Sequence, residues 1–559
     1  MLSFLGVLGN TFRINSGRAG NRIIFADDDR VYRSRDVLRI ILFFYARLSS
    51  LSNIRAVIPA TDNSLALFAM ITASWLHGLE PVLPNTLQPE GFSVLNDTDM
   101  VNVFIEKEKY LNTSAYFAGE FGNNERKPNL IDFSSEYTDF LHTALSDDSS
   151  DFSEITEESL GSLVSGLQFS DDIKDEFTAR FLSLAGDAIA SVTGNTAGSS
   201  GENDISPLEA DLPVTGMTSG STGKPKKITR TLGEFLAEYL AVKELILPYV
   251  NPAECLGVAT VSNFHAYGLM FRFFFPILSG VPVYTGMLEY QEQFIKLAGF
   301  NKKLFLVSSP GFFKRLDEKV CPVEVALTMS AGGKLAAAVL DKARHTFASR
   351  ILEIYGSTET GVIGYRYPEK ADEPWQVPDA TIIETADSQA WENDDSLQEG
   401  ETSVSTGVIK VTAPHIMKGT PFIGSDVIRL VRNGAGELCF YLKGRSDRII
   451  KIEDNRVSLD EIEKIVTATG DLVRDCAVIR YEQGGRDFIG AMIVLTEKGR
   501  KLRDEMSAGR FLINLRVVLG RNMLKLAVPR RFIIADSLPH TDSQKVAYNR
   551  IKELFYENS

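Results

Sequence analysis

The chain has 559 residues, a formal net charge of −14, 44% apolar and 24% charged residues. That length exceeds what one hydrophobic core holds, so two or more folding units are expected, with the composition of an ordinary soluble globular protein. The acidic balance argues against a duplex nucleic-acid partner.

The N-terminal MLSFLGVLGNTFR lacks a basic leader and a long apolar run, so no signal peptide is expected. The most apolar window, Phe264 to Tyr284, is interrupted by Arg272, Pro276, Gly280 and Pro282 and reads as buried core rather than a membrane span. Cys255, Cys321, Cys439 and Cys476 are widely separated and show no metal-ligand spacing. They read as reduced, mostly buried thiols of a cytoplasmic protein.

In chain order, apolar spacing predicts a helix over 35–48, a strand over 54–59, a helix over 64–77 and a strand over 79–83. From 132 to 176 thirteen acidic residues stand against one lysine, Lys174, in a serine-rich setting, which predicts a solvated surface insertion. The small-residue run 197–210 reads as a linker. A helix near 232–247, a strand near 255–261, a helix near 335–348 and a strand at 351–354 continue the alternation, which implies mostly parallel sheets flanked by helices. Beyond Gly444 the pattern changes to short strands (476–480, 489–495) and amphipathic helices (459–469, 511–525), as in a compact α+β domain of about a hundred residues. The expected division is a large domain over 1–444 and a small one over 445–559.

The run Thr218-Ser219-Gly220-Ser221-Thr222-Gly223-Lys224-Pro225-Lys226-Lys227 combines glycines that let backbone approach a ligand, hydroxyls that donate to phosphate oxygens, and lysines that supply counter-charge. It points to a nucleotide triphosphate, although such runs also serve as flexible linkers. A Walker A loop needs Gly at 218 and Ser or Thr at 225, so the usual NTPase and kinase classes are excluded. Glu353-Ile-Tyr355-Gly356-Ser357-Thr358-Glu359-Thr360-Gly361 follows a strand and so stands at its carboxyl end, where open α/β sheets bind ligands. Tyr355 can stack on a base, Thr358 can bind phosphate and Glu359 can hold Mg²⁺; a capped polar turn is the bland alternative.

Together these two motifs resemble those of the adenylate-forming (AMP-binding) superfamily, which includes acyl-CoA synthetases, aryl acid ligases and peptide-synthetase adenylation domains. The resemblance covers about residues 20–555, with 132–210 poorly matched. It implies a large α/β domain with mostly parallel sheets and a small mobile α+β lid, and the substrates ATP and Mg²⁺. It places Thr218, Ser219, Gly220, Ser221, Thr222, Gly223, Lys224 and Lys226 on phosphate, and Tyr355, Gly356 and Ser357 against the nucleotide. Thr358 then touches phosphate and Glu359 coordinates the metal. Asp426, in Gly-Ser-Asp where the family has Thr-Gly-Asp, and Arg445 would hold the ribose. Asp447 would be the hinge, and Lys451 and Asp454 would face the thiol tunnel, Asp454 standing where the family often has Gly. Lys545, preceded by Gln544 where the family has Gly, would stabilise charge developing at the α-phosphate.

The segment Val261–Leu269 resembles the family's F-H-x-x-G-L, which puts Phe264, His265, Tyr267 and Gly268 at the acid's entry. Ser330, Ala331, Gly332 and Gly333 resemble the turn bordering the same pocket. No acidic residue occurs between Val261 and Val281, which disfavours an α-amino acid, and the aromatic density (Phe264, Tyr267, Phe271, Phe273, Phe274, Phe275) suits a flat or apolar acid, with the core as the equal alternative for most of those rings. The wording VSNFHAYGLMFR, EIYGSTETGVIGYR and KGRSDRIIKIEDNRVSLDEIE is similar to the acid–acyl carrier protein ligases of bacterial aryl polyene and xanthomonadin-type pigment clusters.

That resemblance implies formation of acyl-AMP and transfer to the phosphopantetheine thiol of an acyl carrier protein, with free CoA as the alternative acceptor. From Asp447 onward twenty basic residues face seventeen acidic ones, and Arg516, Arg521, Lys525, Arg530 and Arg531 are candidates to meet an acidic carrier or the phosphates of CoA. A catalytically silent binding homologue is the third reading, prompted by Lys227, Asp454 and Gln544.

Overall fold

The structure is a computed structural model that describes residues 23–28, 30–84, 100–104, 130–143, 170, 172–180, 212–218, 226–297, 300–317, 324–333, 335–370, 373–386, 397, 400–416, 419–452, 455–469, 471–483, 486–523, 525–540 and 546–557. The chain falls into two compact units. The first is drawn from Met1–Glu373, Pro378–Thr381 and Thr412–Thr420, and the second from Pro374–Val377, Ile382–Val411 and Pro421–Ser559.

The first unit begins with β1 (Ile23–Ala26), β2 (Val31–Arg33), α1 (Ser34–Leu48), β3 (Ala56–Ala60), α2 (Ser64–Leu76) and β4 (Glu80–Leu83). It continues with β5 (Met100–Phe104), β6 (Leu130–Asp132), α3 (Ser134–Thr143), β7 (Pro213–Thr218), β8 (Lys226–Thr231), α4 (Leu232–Ile246) and β9 (Cys255–Ala259). A helical run over 266–279 leads to β10 (Val283–Tyr284), β11 (Lys303–Ser308), β12 (Val325–Ser330), α5 (Ala337–Phe347), β13 (Ile351–Ser357) and β14 (Gly361–Arg366).

One sheet of this unit runs β14-β13-β12-β11-β9-β10-β1-β2, the other β6-β5-β3-β4-β7-β8. In both, the central pairs are parallel, while β13–β14 and β1–β2 in the first and β7–β8 in the second are antiparallel. Each central strand buries both faces, so β9 and β11 read as unbroken apolar runs.

Every residue of α2 is buried, as expected of a helix that is apolar all round. Its Phe68 lies 5.8 Å from Phe25 of β1 and 6.0 Å from Phe273, ring to ring. Asn63 starts it by accepting the Leu65 and Ala66 amides at 3.1 Å each. At the described ends of the acidic window the carboxylates are exposed, as the sequence suggests, but the rings between and beside them are buried. Phe133, Tyr137 and Phe140 pack on Phe43 of α1, and Phe177 packs on Tyr45, because aromatic residues spaced through the acidic run find apolar partners there. Its middle and the linker 197–210 lie outside the described residues.

The second unit holds β15 (Trp375–Gln376), β16 (Ile382–Ala386), β17 (Thr402–Thr412), β18 (Phe422–Arg432) and β19 (Leu438–Arg445) in the order β16-β17-β18-β19-β15. A 3₁₀ turn (Ser446–Arg448) then leads to the hairpin β20 (Ile449–Ile452) and β21 (Asn455–Ser458), and to α6 (Leu459–Thr467). The sheet β22 (Val473–Gln483), β23 (Arg486–Leu495) and β24 (Arg531–Ala535) packs with α6, α7 (Glu497–Met506), α8 (Ala508–Asn522) and α9 (Tyr548–Glu557). This is an α+β arrangement. The unit thus includes residues on both sides of Gly444.

Cys255, Cys439 and Cys476 are free and buried, and burial raises each thiol's pKa, that of Cys476 most strongly. Among the described residues no helix is long and apolar enough to cross a membrane.

Candidate active site

Three sequence-read segments leave the carboxyl ends of parallel strands in one sheet. Val261–Gly268 follows β9, Ser330–Gly333 follows β12 and Tyr355–Glu359 ends β13, with β11 lying between β9 and β12. The strands are in register there: Val307 faces Ala259 and Ser308 faces Ser330. Thr260 and Ser308 share a 2.7 Å hydrogen bond between hydroxyls.

The strand expected at 351–354 extends to Ser357, because Tyr355, Gly356 and Ser357 pair with β14. The turn beyond it is closed by its own hydroxyls. Ser357 N–H donates to Thr360 Oγ1 at 3.0 Å, and Thr360 Oγ1–H donates to the Gly361 carbonyl at 2.9 Å. Gly356 is forced, since a Cβ there would stand 1.9 Å from the Gly361 oxygen, and Gly361 itself adopts φ +60°. With Thr360 buried as the latch, Tyr355 and Thr358 are half-buried and Glu359 is exposed. The three candidates Tyr355, Thr358 and Glu359 are thereby carried on one tight turn.

The candidate phosphate loop is bracketed by paired strand ends. Thr218 at the end of β7 pairs with Lys226 at the start of β8, and Lys226 and Lys227 are exposed. Ser219, Gly220, Ser221, Thr222, Gly223 and Lys224 lie outside the described residues, as do Asp454 and Lys545.

His265 stands at the N-cap position of the short helix that follows it, and Phe264 N–H donates to Ser262 Oγ at 3.2 Å. Gly268 packs so closely that a Cβ would meet the Ser262 carbonyl oxygen at 1.9 Å. Arg272 locks this segment to the end of β3. It donates to Asp62 Oδ1 at 2.9 Å and to the carbonyls of Asp62, Val261 and Thr285 at 3.0–3.1 Å. Burial pushes the Tyr267 phenol well above its usual range, the Ser308 backbone opposing the shift. The rings of Phe271, Phe273, Phe274 and Phe275 do not line an acid pocket. They are core, 0–1% exposed, with Phe274 stacked on Phe235 at 4.3 Å. A run read as aromatic density for a ligand is therefore largely packing, with Leu269–Phe274 wound as a π-helix. Phe264 is also buried, while Ala331 is half-buried and Gly332 and Gly333 are exposed.

In the second unit the two ribose candidates meet. Asp426 and Arg445 are cross-strand partners on β18 and β19, with Arg445 Nη1 3.6 Å from Asp426 Oδ1. Asp447 lies in the 3₁₀ turn directly after β19, and Lys451 lies in β20 opposite Arg456. Arg448, next to Asp447, is anchored by Asp460 and by Glu463 Oε1 at 2.6 Å, and it lies 4.0 Å above the Tyr548 ring. Tyr548 O–H and Val478 N–H donate to the Glu463 carboxylate, at 3.1 and 2.7 Å to Oε1. Burial raises the Glu463 pKa, with Arg448 pulling the other way.

Sequence reasoning missed three side chains next to the Tyr355–Gly361 turn: Arg230, Glu238 and His415, each at most 5% exposed. Glu238 carried a signal. It sits three residues after Phe235 and four before Val242, on the buried stripe of α4.

The sequence profile of the family described as AMP-binding enzyme matches residues 55–419. The chain is 27% identical over 339 residues to the 4-coumarate–CoA ligase of Cereibacter sphaeroides, covering 59% of this chain and 69% of that one. It is 25% identical over 367 residues to tyrocidine synthase 2 of Brevibacillus parabrevis, covering 60% of this chain and 9% of that much longer protein. The O-succinylbenzoate coenzyme A synthetase of Bacillus subtilis, solved with ATP and magnesium ion, aligns over 99% of both chains with a TM-score of 0.65 and 16% identity, a likeness of fold. Since the profile spans well over half of its length, the chain belongs to the AMP-binding enzyme family.

Proposed function

We propose that the protein activates a carboxylic acid with ATP and passes the acyl group to a pantetheine thiol. The observation that carries this reading is the β13–β14 turn, which presents Tyr355, Thr358 and an exposed Glu359 at the carboxyl end of a parallel sheet. A substrate carboxylate oxygen attacks the α-phosphorus of ATP, giving acyl-AMP and pyrophosphate. The thiol sulfur then attacks the acyl carbon, AMP leaves, and the thiol proton passes to solvent.

Tyr355 faces the base, Thr358 and the Thr218–Lys226 loop bind phosphate, and Asp426 with Arg445 holds the ribose. Among the described residues no three His, Cys, Asp or Glu side chains cluster to hold a metal by themselves. Glu359, an exposed carboxylate on that turn, would hold a Mg²⁺, which would neutralise phosphate charge when bound. Lys545 supplies the ammonium that stabilises charge as pyrophosphate leaves. Residues 445–559 act as a lid turning about Asp447, which withdraws Lys545 and brings Lys451 and Asp454 to the thiol's path.

The acid is aryl, hydroxybenzoate-like or acyl, entering past His265, Phe264, Tyr267 and the Ser330–Gly333 turn. Acid-dependent ATP–pyrophosphate exchange across a panel of such acids tests the first half. Absence of exchange with every acid would favour the silent homologue.

For the second half, the leading acceptor is an acyl carrier protein. Arg516 and Arg531 are engaged within the unit, on Phe532 and the Phe555 carbonyl; Arg521, Lys525 and Arg530, the last lying over Phe488, are exposed. Free CoA is the second reading, favoured by the CoA ligase among the relatives. Thioester formation with purified carrier protein and with CoA decides between them, and a strong CoA preference eliminates the carrier.

A further inference from the structure

Glu238 of α4 projects from a fully buried helix face onto the residue that follows the Tyr355–Gly361 turn. Its Oε1 accepts the Val362 N–H at 3.0 Å. The Val362 carbonyl is held as well, by His415 Nε2 at 2.9 Å. Since the carbonyl accepts, His415 carries its proton on Nε2. Arg230 closes the ring: Nη1 donates to Glu238 Oε2 at 2.8 Å, Nη2 lies 3.5 Å from the His415 carbonyl, and the guanidinium sits 4.3 Å from the centre of the Phe235 ring. Both backbone polar groups of one residue are thus gripped by side chains remote in sequence, and Arg230 links the Glu238 carboxylate to the His415 backbone.

The turn itself leans on the same carboxylate. A Cβ on Gly361 would stand 2.7–2.8 Å from the Glu238 carboxyl carbon and oxygens, and Gly361 sits at φ +60°. Arg230 lies on β8, the strand that emerges directly from the phosphate loop, opposite Val214 of β7. The ion pair therefore ties the strand behind one nucleotide motif to the strand behind the other, through groups with almost no solvent contact.

We infer that Glu238, braced by Arg230 and His415, is a positioning residue that fixes the Tyr355–Glu359 turn relative to the phosphate loop, so that the two motifs meet one ATP together. The carboxylate touches no reactant; it acts through Val362 and Gly361. A buried ion pair is weak support for stability but well suited to enforcing one geometry. This inference rests on the nucleotide reading of that turn.

The test uses the full-length protein with Mg·ATP as probe, in Glu238→Gln, Glu238→Ala and Gly361→Ala variants. Gly361→Ala leaves the ion-pair residues unaltered while displacing the carboxylate. Equilibrium binding of Mg·ATP is measured beside deuterium exchange of peptides covering 355–366 and 255–259. The expected result is at least a tenfold loss of Mg·ATP affinity in Glu238→Ala and Gly361→Ala. Exchange should be faster over 355–366 while 255–259 stays protected. Glu238→Gln, which keeps an acceptor for Val362, should recover part of the affinity. Affinity within twofold of wild type in both disruptive variants overturns the inference alone. So does loss of protection spread equally over both peptides, the mark of a merely structural role. A wild-type protein that binds no Mg·ATP overturns the nucleotide reading and the inference with it.

Discussion

Glu353 and Arg366 face each other across the β13–β14 hairpin, with Arg366 Nε and Nη2 2.7 and 2.6 Å from the same Glu353 oxygen. Both are nearly inaccessible, and Arg366 also donates to the Glu373 carbonyl at 2.6 Å. The pair braces the base of the hairpin whose tip carries the candidate catalytic turn. Removing one partner of a buried pair leaves a stranded charge and costs about 3–5 kcal/mol. Arg366→Met is expected to destabilise the first unit by about that much, read from its denaturant midpoint. The double variant Glu353→Leu/Arg366→Met should recover most of it. A single-variant loss below about 1 kcal/mol would show that the pair behaves like a surface bridge.

Gly268→Ala places a methyl where the Ser262 carbonyl stands, 1.9 Å away. Overpacking against backbone costs about 1–3 kcal/mol, occasionally more. A lower thermal midpoint is expected, and an unchanged midpoint would mean that the helical run over 266–279 shifts freely.

His415 is held neutral. Burial lowers its pKa from the ordinary 6.5, Arg230 adds to this and Glu238 opposes it. The unfolded chain therefore takes up this proton first as pH falls. The stability that His415 contributes is complete above about pH 6.5 and is lost as pH drops toward its folded-state pKa. His415→Gln keeps a donor for Val362 O and removes that titration. Its denaturation midpoint should fall less steeply with pH below 6.5 than that of wild type, and parallel profiles would contradict the assignment.

Lys545→Ala is expected to abolish acid-dependent ATP–pyrophosphate exchange while leaving the unfolding midpoint within a degree or two. Glu359→Gln should reduce exchange by about 10²-fold or more and raise the Mg²⁺ needed for half-maximal rate, as expected when a charged ligand to a phosphate-bound ion is neutralised. Full exchange in Lys545→Ala would remove that lysine from the chemistry.

Much of the first unit was legible because local pattern and final burial agree. The helix expected over 35–48 forms as Ser34–Leu48, and that over 232–247 as Leu232–Ile246. The Tyr355–Glu359 turn was legible as a motif. Its mechanics were not, since the extension of β13 to Ser357 depends on pairing with β14 and the grip of Glu238 on Val362 spans 124 positions. The phenylalanines after Tyr267 illustrate a choice that the sequence leaves open. A dense aromatic run suits a pocket or a core equally in composition, and only packing against Phe235, Tyr239 and Phe305 decides for the core. The grouping of 382–411 with the C-terminal residues is likewise a property of long-range contacts.

The buried, poorly ionised sulfurs of Cys255, Cys439 and Cys476 make the native chain a quiet background for maleimide chemistry. Any rapid modification of the unaltered protein reports on Cys321. With that position replaced by serine, cysteines introduced one on each side of Asp447 accept fluorophores selectively, so energy transfer between them tests whether the C-terminal segment turns during turnover.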